Sequence, residues 1–187
     1  MVCDTVDRIV LERDRVAKPV EITNPDDEAV RVRRLPLLGH AVPGLEFRIA
    51  DLDTRAELPE RHVGELLIRG TSVTPGYYKR PEATAEAMRN GWFHSGDIGI
   101  IDDEGYLAIV DRKKDMILRG GFNVYPRELE ETLMTHPAVS LVAVIGVPDD
   151  RLGEEVKAFV VRKPGVTVTE DEVITWCRER MAAYKAP

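Results

Sequence analysis

Apolar residues along this chain change their spacing twice, and each change predicts a different kind of element. Over residues 1–34 the periodicity is weak, charged side chains dominate and "NPDDE" (24–28) interrupts. This stretch predicts a peripheral arm with a loop and no core of its own. From Pro36 to about Val110 the pattern becomes short strand-like runs separated by turn residues. "LEFRIAD" (45–51) alternates, "GELLIRG" (64–70) is a short apolar strand closed by glycine, and "IGIIDDEGYLAIV" (98–110) predicts a hairpin. Asp102, Asp103, Glu104 and Gly105 supply its turn, with Gly105 suited to a positive φ. Between the strands, "RPEATAEAMRN" (80–90) predicts a short helix with Pro81 near its start.

After Val110 the spacing changes again. Pro126 opens a helix where its missing N–H costs nothing, and Leu129, Leu133 and Met134 give it an apolar stripe. "VSLVAVIGV" (139–147) is a β-rich run, "PDDRLGE" (148–154) a turn and "EVKAFVVRK" (155–163) a second strand. "VTEDEVITWCRERM" (168–181) predicts a closing helix. In it Thr169 and Glu172 have capping-box spacing, and Val173, Ile174 and Cys177 form the apolar face. The order strand, helix, strand, strand, helix predicts a small α+β unit. The expected organisation is therefore a β-rich unit over residues 1–110 and an α+β unit over 111–187, joined near 111–115.

Composition narrows the function classes. The hydrophobic and charged fractions are 43% and 32%, as in a water-soluble globular protein, and the net charge is −7. That balance argues against a general nucleic-acid binder, which needs a basic face to neutralise phosphates. Cys3 and Cys177 alone make neither a disulfide framework nor a zinc pattern, so a cytoplasmic location is expected. No apolar run reaches the ~20 residues of a membrane helix, so no transmembrane segment is expected.

Three stretches carry candidate chemistry. In "GWFHSGDIG" (91–99), Asp97 sits between glycines, where its carboxylate can accept from two vicinal hydroxyls or simply bond its own turn. His94 has no Cys, Asp or second His at ligand spacing, and Ser72 has no partnered His, so neither a metal site nor a hydrolase triad is expected. In "DRKKDMILRGGFNVYPRELE" (111–130), Arg112, Lys113, Lys114 and Arg119 cluster beside Gly120 and Gly121. Such a run fits a solvated turn, an anion clamp or a hinge at the joint. Lys185 in "AAYKAP" is expected at the surface. No Gly-rich phosphate loop of the Walker or Rossmann kind occurs.

Seven stretches in order resemble the adenylate-forming superfamily: "GLEFRIAD", "GELLIRG", "GYYKRPEAT", "GWFHSGDIG", "DRKKDMILRGGFNVYPRELE", "HPAVSLVAVIGVPDDRLGEEVKAFVV" and "YKAP". Its members are acyl-CoA synthetases, aryl-CoA ligases, luciferases and peptide-synthetase adenylation domains. The resemblance implies the β-rich end of a large AMP-binding domain followed by a small lid domain. It also implies two half-reactions. A carboxylate attacks the α-phosphate of Mg-ATP to give an acyl-adenylate and pyrophosphate, and the thiol of CoA then displaces AMP.

By the same resemblance, Asp97 binds the ribose hydroxyls and Arg112 the nucleotide. Lys114 falls at the hinge, Gly121 along the pantetheine tunnel with Gly120 beside it, and Arg119 and Lys113 toward the thiol cofactor. No metal ligand and no catalytic residue is expected within these residues, because the family's adenylation lysine is expected beyond Pro187. The family's phosphate loop and its Mg2+-holding glutamate are expected ahead of Met1. Losing one such preorganised charge costs on the order of 10²–10³ in rate. These 187 residues are thus expected to be inactive alone, as part of an enzyme using ATP, Mg2+ and CoA on a fatty acid. The alternatives are a ligase charging an acyl-carrier protein and a stand-alone nucleotide- or partner-binding split subunit.

Overall fold

The computed structural model describes residues 35–187, and the arm expected over 1–34 lies outside the described residues. These residues form two compact units, divided between Lys113 and Lys114. Among the described residues, three helices and two antiparallel sheets give an α+β fold, the class the periodicities predict.

The first unit runs β1 (Leu37–Gly39), β2 (Leu45–Ala50), β3 (Glu57–Leu58), β4 (Gly64–Gly70), α1 (Pro81–Ala87), β5 (Met88–Arg89), β6 (Trp92–Ile101) and β7 (Leu107–Arg112). Its sheet has the order β1-β7-β6-β4-β2-β3, with β5 paired to β6. Alternation sends Ile49, Leu66 and Leu107 to one cluster and Ala50, Leu67 and Trp92 to another. The hairpin expected over 98–110 is present, with Gly105 at φ +84°.

The helix expected over 80–90 stops at Ala87. Asn90 (φ +51°) and Gly91 (φ +78°) form a two-residue turn that pairs Arg89 with Trp92. Positive φ at both central positions is what a type I′ hairpin demands. The strand carrying Asp97 consequently begins at Trp92, well before the glycine-flanked aspartate.

The second unit runs β8 (Ile117–Arg119), β9 (Phe122–Val124), α2 (Pro126–Met134), β10 (Val139–Asp149), β11 (Gly153–Arg162) and α3 (Glu170–Arg180). The sheet order is β10-β11-β8-β9. Ile117, Val124, Leu129, Leu133, Val144, Val156, Val173 and Cys177 share one core. Residues 117–124 form a full hairpin where one strand was expected. Pro126 starts α2 as expected, and its buried stripe is Pro126, Leu129 and Leu133, while Met134 faces solvent. The expected capping box is present on α3: the Thr169 hydroxyl accepts from Glu172 N, and Glu172 accepts from Thr169 N at 2.8 Å.

Candidate functional site

Asp97 is displayed by two breaks in the ladder around it. β4 and β6 pair Glu65 with Ile98 and Leu67 with His94, so β6 uses four residue steps where β4 uses two. The surplus falls at Ser95, Gly96 and Asp97. Gly96 (φ +75°) takes the turn that a side chain resists, the Ser95 hydroxyl donates to Leu66 O (2.8 Å), and Asp97 N–H donates to that hydroxyl (3.1 Å). On the other side, Ile98 faces Asp111 but Gly99 faces Ile109, so Val110 is an extra residue on β7. Bulges of this kind re-aim side chains beside functional sites.

Directly opposite Asp97 stands Arg112, the last residue of β7. Arg112 Nε lies 3.6 Å from Asp97 Oδ1, and the side chains are 63% and 35% exposed. An ion pair that open to water adds little stability. What it does provide is a carboxylate acceptor beside a guanidinium fork, suited to a diol next to an anionic group.

A second ion pair joins a buried carboxylate to a half-exposed lysine. Glu65, on β4, has a side chain 6% exposed; it accepts from Lys113 Nζ at 2.9 Å and lies 3.5 Å from His94 Nδ1. Burial pushes the Glu65 carboxyl up, but the hydrogen bond and charge of Lys113, helped by His94, outweigh it and hold the group below the usual glutamate range. Sequence reasoning missed Glu65. Its signal was a lone carboxylate on an apolar strand, which burial obliges to find a cation.

Of the remaining predicted residues, Lys114 is exposed in the turn between the units. Gly120 (φ +58°) and Gly121 (φ +83°) are the two central residues of the β8–β9 hairpin, with Arg119 paired to Phe122 across it. The diglycine is thus a type I′ turn at an exposed tip. Arg119 is only 17% exposed. It donates to Tyr184 O (2.7 Å) and Ala186 O (2.9 Å) through Nη1, and Nε is 2.6 Å from Glu155 Oε1. Its guanidinium holds the segment 184–186 within the unit.

Lys185, expected at the surface, is buried: both Glu128 oxygens accept from its Nζ at 2.9 Å. Two residues on, Pro187 is half-buried, and the lysine expected beyond Pro187 lies outside the described residues. The burial of Lys185 does not make it that lysine, because its ammonium is already committed to Glu128. Burial also pushes the Cys177 thiol up to about 11, so it stays protonated and serves as a core side chain. Among the described residues no three His, Cys, Asp or Glu side chains gather to hold a metal. They give Mg2+ no cage of their own. Among them, too, no helix is long and apolar enough to cross a membrane.

Residues 17–78 match the family model for AMP-binding enzymes, and residues 128–187 the model for the AMP-binding enzyme C-terminal domain. A long-chain-fatty-acid–CoA ligase of Escherichia coli is 49% identical over 150 residues, which are 80% of this chain and 26% of that protein. A feruloyl-CoA synthase of an Amycolatopsis species is 51% identical over 130 residues, 70% of this chain and 26% of that one. ATP-bound MatB from Rhodopseudomonas palustris aligns with a TM-score of 0.76 at 41% identity, over 88% of this chain and 32% of that structure. The chain therefore spans about a quarter of the length of these two ligases.

Proposed function

The chain belongs to the AMP-binding enzyme family, within the adenylate-forming superfamily, and we propose that it works in an ATP-dependent acyl-CoA synthetase. The reaction joins a carboxylic acid to ATP, releasing pyrophosphate, and then passes the acyl group from the adenylate to the thiol of CoA, releasing AMP. A long-chain fatty acid is the proposed acid, on the strength of the Escherichia coli relative. The cytoplasm is the proposed location, in keeping with only two cysteines far apart in the sequence. Mg2+ enters as the partner of ATP and draws on none of the residues named here.

The observation that carries this reading is the cross-strand pair of Asp97 and Arg112, on two neighbouring strands that each carry a bulge beside it. In the proposed roles, Asp97 accepts from the ribose hydroxyls and Arg112 holds the nucleotide beside them. Lys114 is the swivel between residues 35–113 and 114–187, so that the units present themselves differently in the two half-reactions. Gly120 and Gly121 bring bare backbone to the pantetheine arm. Arg119 serves the same side by fixing residues 184–186.

The test uses the gene product that carries these residues, with ATP–pyrophosphate exchange for the first half-reaction and thioester formation for the second. Asp97→Ala should raise the KM for ATP at least about tenfold, the scale of one lost charge-assisted hydrogen bond. Lys114→Pro, which locks φ near −65°, should leave exchange intact and impair thioester formation. Equal loss of both half-reactions in Lys114→Pro would refute the swivel. Free CoA is the expected acceptor, and transfer only to an acyl-carrier protein would replace that part of the reading.

A further inference from the structure

We infer that Glu65 and Lys113 are positioning residues for the thioester half-reaction: their half-buried ion pair clamps the last residue of the first unit and confines the swivel to the residues after it. The inference rests on the two-step reading above.

Lys113 is held at two points, both within the first unit. Its backbone N–H donates to Gly96 O at 2.8 Å, just past the last β6–β7 register pair, Asp97 and Arg112. Its ammonium reaches Glu65 Oε2 at 2.9 Å. Glu65 belongs to β4, which has β2 on one side and β6 on the other, so its backbone sits in the middle of the sheet. Lys114 and Asp115 are exposed, Met116 is half-buried, and the next side chain sunk in a core is Ile117 at 1% exposure. Backbone freedom at the joint is therefore limited to residues 114–116. A pivot of three residues fixes where the second unit arrives, and a misplacement of about 1 Å can cost a bound reaction up to a hundredfold in rate.

Stability alone is a weak reason for such a pair, because one partner, Lys113, is 38% exposed and water screens its charge. Its placement supplies a better one. The same carboxylate lies 3.5 Å from His94, three residues ahead of Asp97 on β6. The proposed nucleotide strand and the joint are thus referenced to one buried group.

The test compares Glu65→Gln, Lys113→Met and Lys113→Arg in the gene product carrying these residues. It follows pyrophosphate exchange, single-turnover thioester formation from preformed adenylate, and amide hydrogen exchange over residues 112–116. Glu65→Gln and Lys113→Met should each slow thioester formation roughly tenfold or more, with pyrophosphate exchange changed less than about twofold. Lys113→Arg should retain most of the rate. The Lys113 amide should exchange at least about tenfold faster in Glu65→Gln, because the clamp that shields it is gone.

Equal loss of both half-reactions would make the pair a stability element and overturn the inference. A slow Lys113→Met beside a normal Glu65→Gln would make Lys113 a direct contact of CoA, which also overturns it. Unchanged hydrogen exchange overturns it even in a protein that activates no acid. Failure of the wild-type protein to activate any acid counts against the two-step reading instead.

Discussion

Lys185 shows what a single residue conceals when read from the sequence. A lysine in "AAYKAP" looks like an ordinary solvated side chain, yet it forms a two-oxygen ion pair with Glu128, 57 positions away. Nothing local marks that partner. Glu128 stands in the first turn of α2, and only the fold brings it to the end of the chain. The side chains of Lys185 and Glu128 are 11% and 22% exposed, so removing one leaves the other's charge poorly solvated. Lys185→Met should therefore destabilise the protein by about 1–3 kcal/mol, below the cost of breaking a fully buried pair. Adding Glu128→Leu should recover most of that loss. Urea melts decide it: a midpoint unmoved by Lys185→Met would show the pair to be well hydrated. Asp97 differs, because its glycine neighbours already marked it as a candidate in the sequence. Its bulges were not legible, since an extra residue in a ladder shows only once the partner strands are known.

At the scale of elements, caps and prolines were legible because each acts within four residues. Pro126 and the Thr169–Glu172 box mark the starts of α2 and α3 correctly. Turn chemistry was under-read. "NG" at 90–91 and "GG" at 120–121 both carry the positive-φ signature of two-residue hairpins, and both hairpins are present. The first ended a helix whose alanines and glutamates otherwise favoured continuing. The second accounts for a diglycine otherwise open to several readings, so its proposed role beside the thiol has to be separated from its turn. Gly121 makes that separation measurable. A Cβ there would meet nothing within 4 Å, so Gly121→Ala costs only the left-handed backbone, about 1–2 kcal/mol. If Gly121 lines the path of the pantetheine arm, thioester formation should fall while pyrophosphate exchange holds. A stability loss with both half-reactions intact would leave the glycine as a hairpin residue and nothing more.

Across the whole molecule, the change of hydrophobic spacing after Val110 pointed to two bodies, and the structure divides the described residues between Lys113 and Lys114. The sequence could mark that change but not the residue that closes the first body, because Lys113 is fixed by Glu65, 48 positions earlier. Each body carries apolar clusters of its own. Ile49, Leu66 and Leu107 cluster in the first, and Ile117, Leu129, Leu133 and Cys177 in the second. A swivel at Lys114 requires this arrangement, because a unit can turn as a rigid body only if its core closes on itself. Leu133, on α2, is fully buried in the core of the second unit, so Leu133→Ala should cost roughly 2–5 kcal/mol. Under conditions where the variant remains folded, amide hydrogen exchange followed by mass spectrometry should show protection falling across 117–180. Strands β4, β6 and β7 should keep theirs, since sub-global opening follows cooperative units. Loss of protection in both bodies together would mean that they unfold as one, and a swivel through three residues would then be the wrong description of the joint.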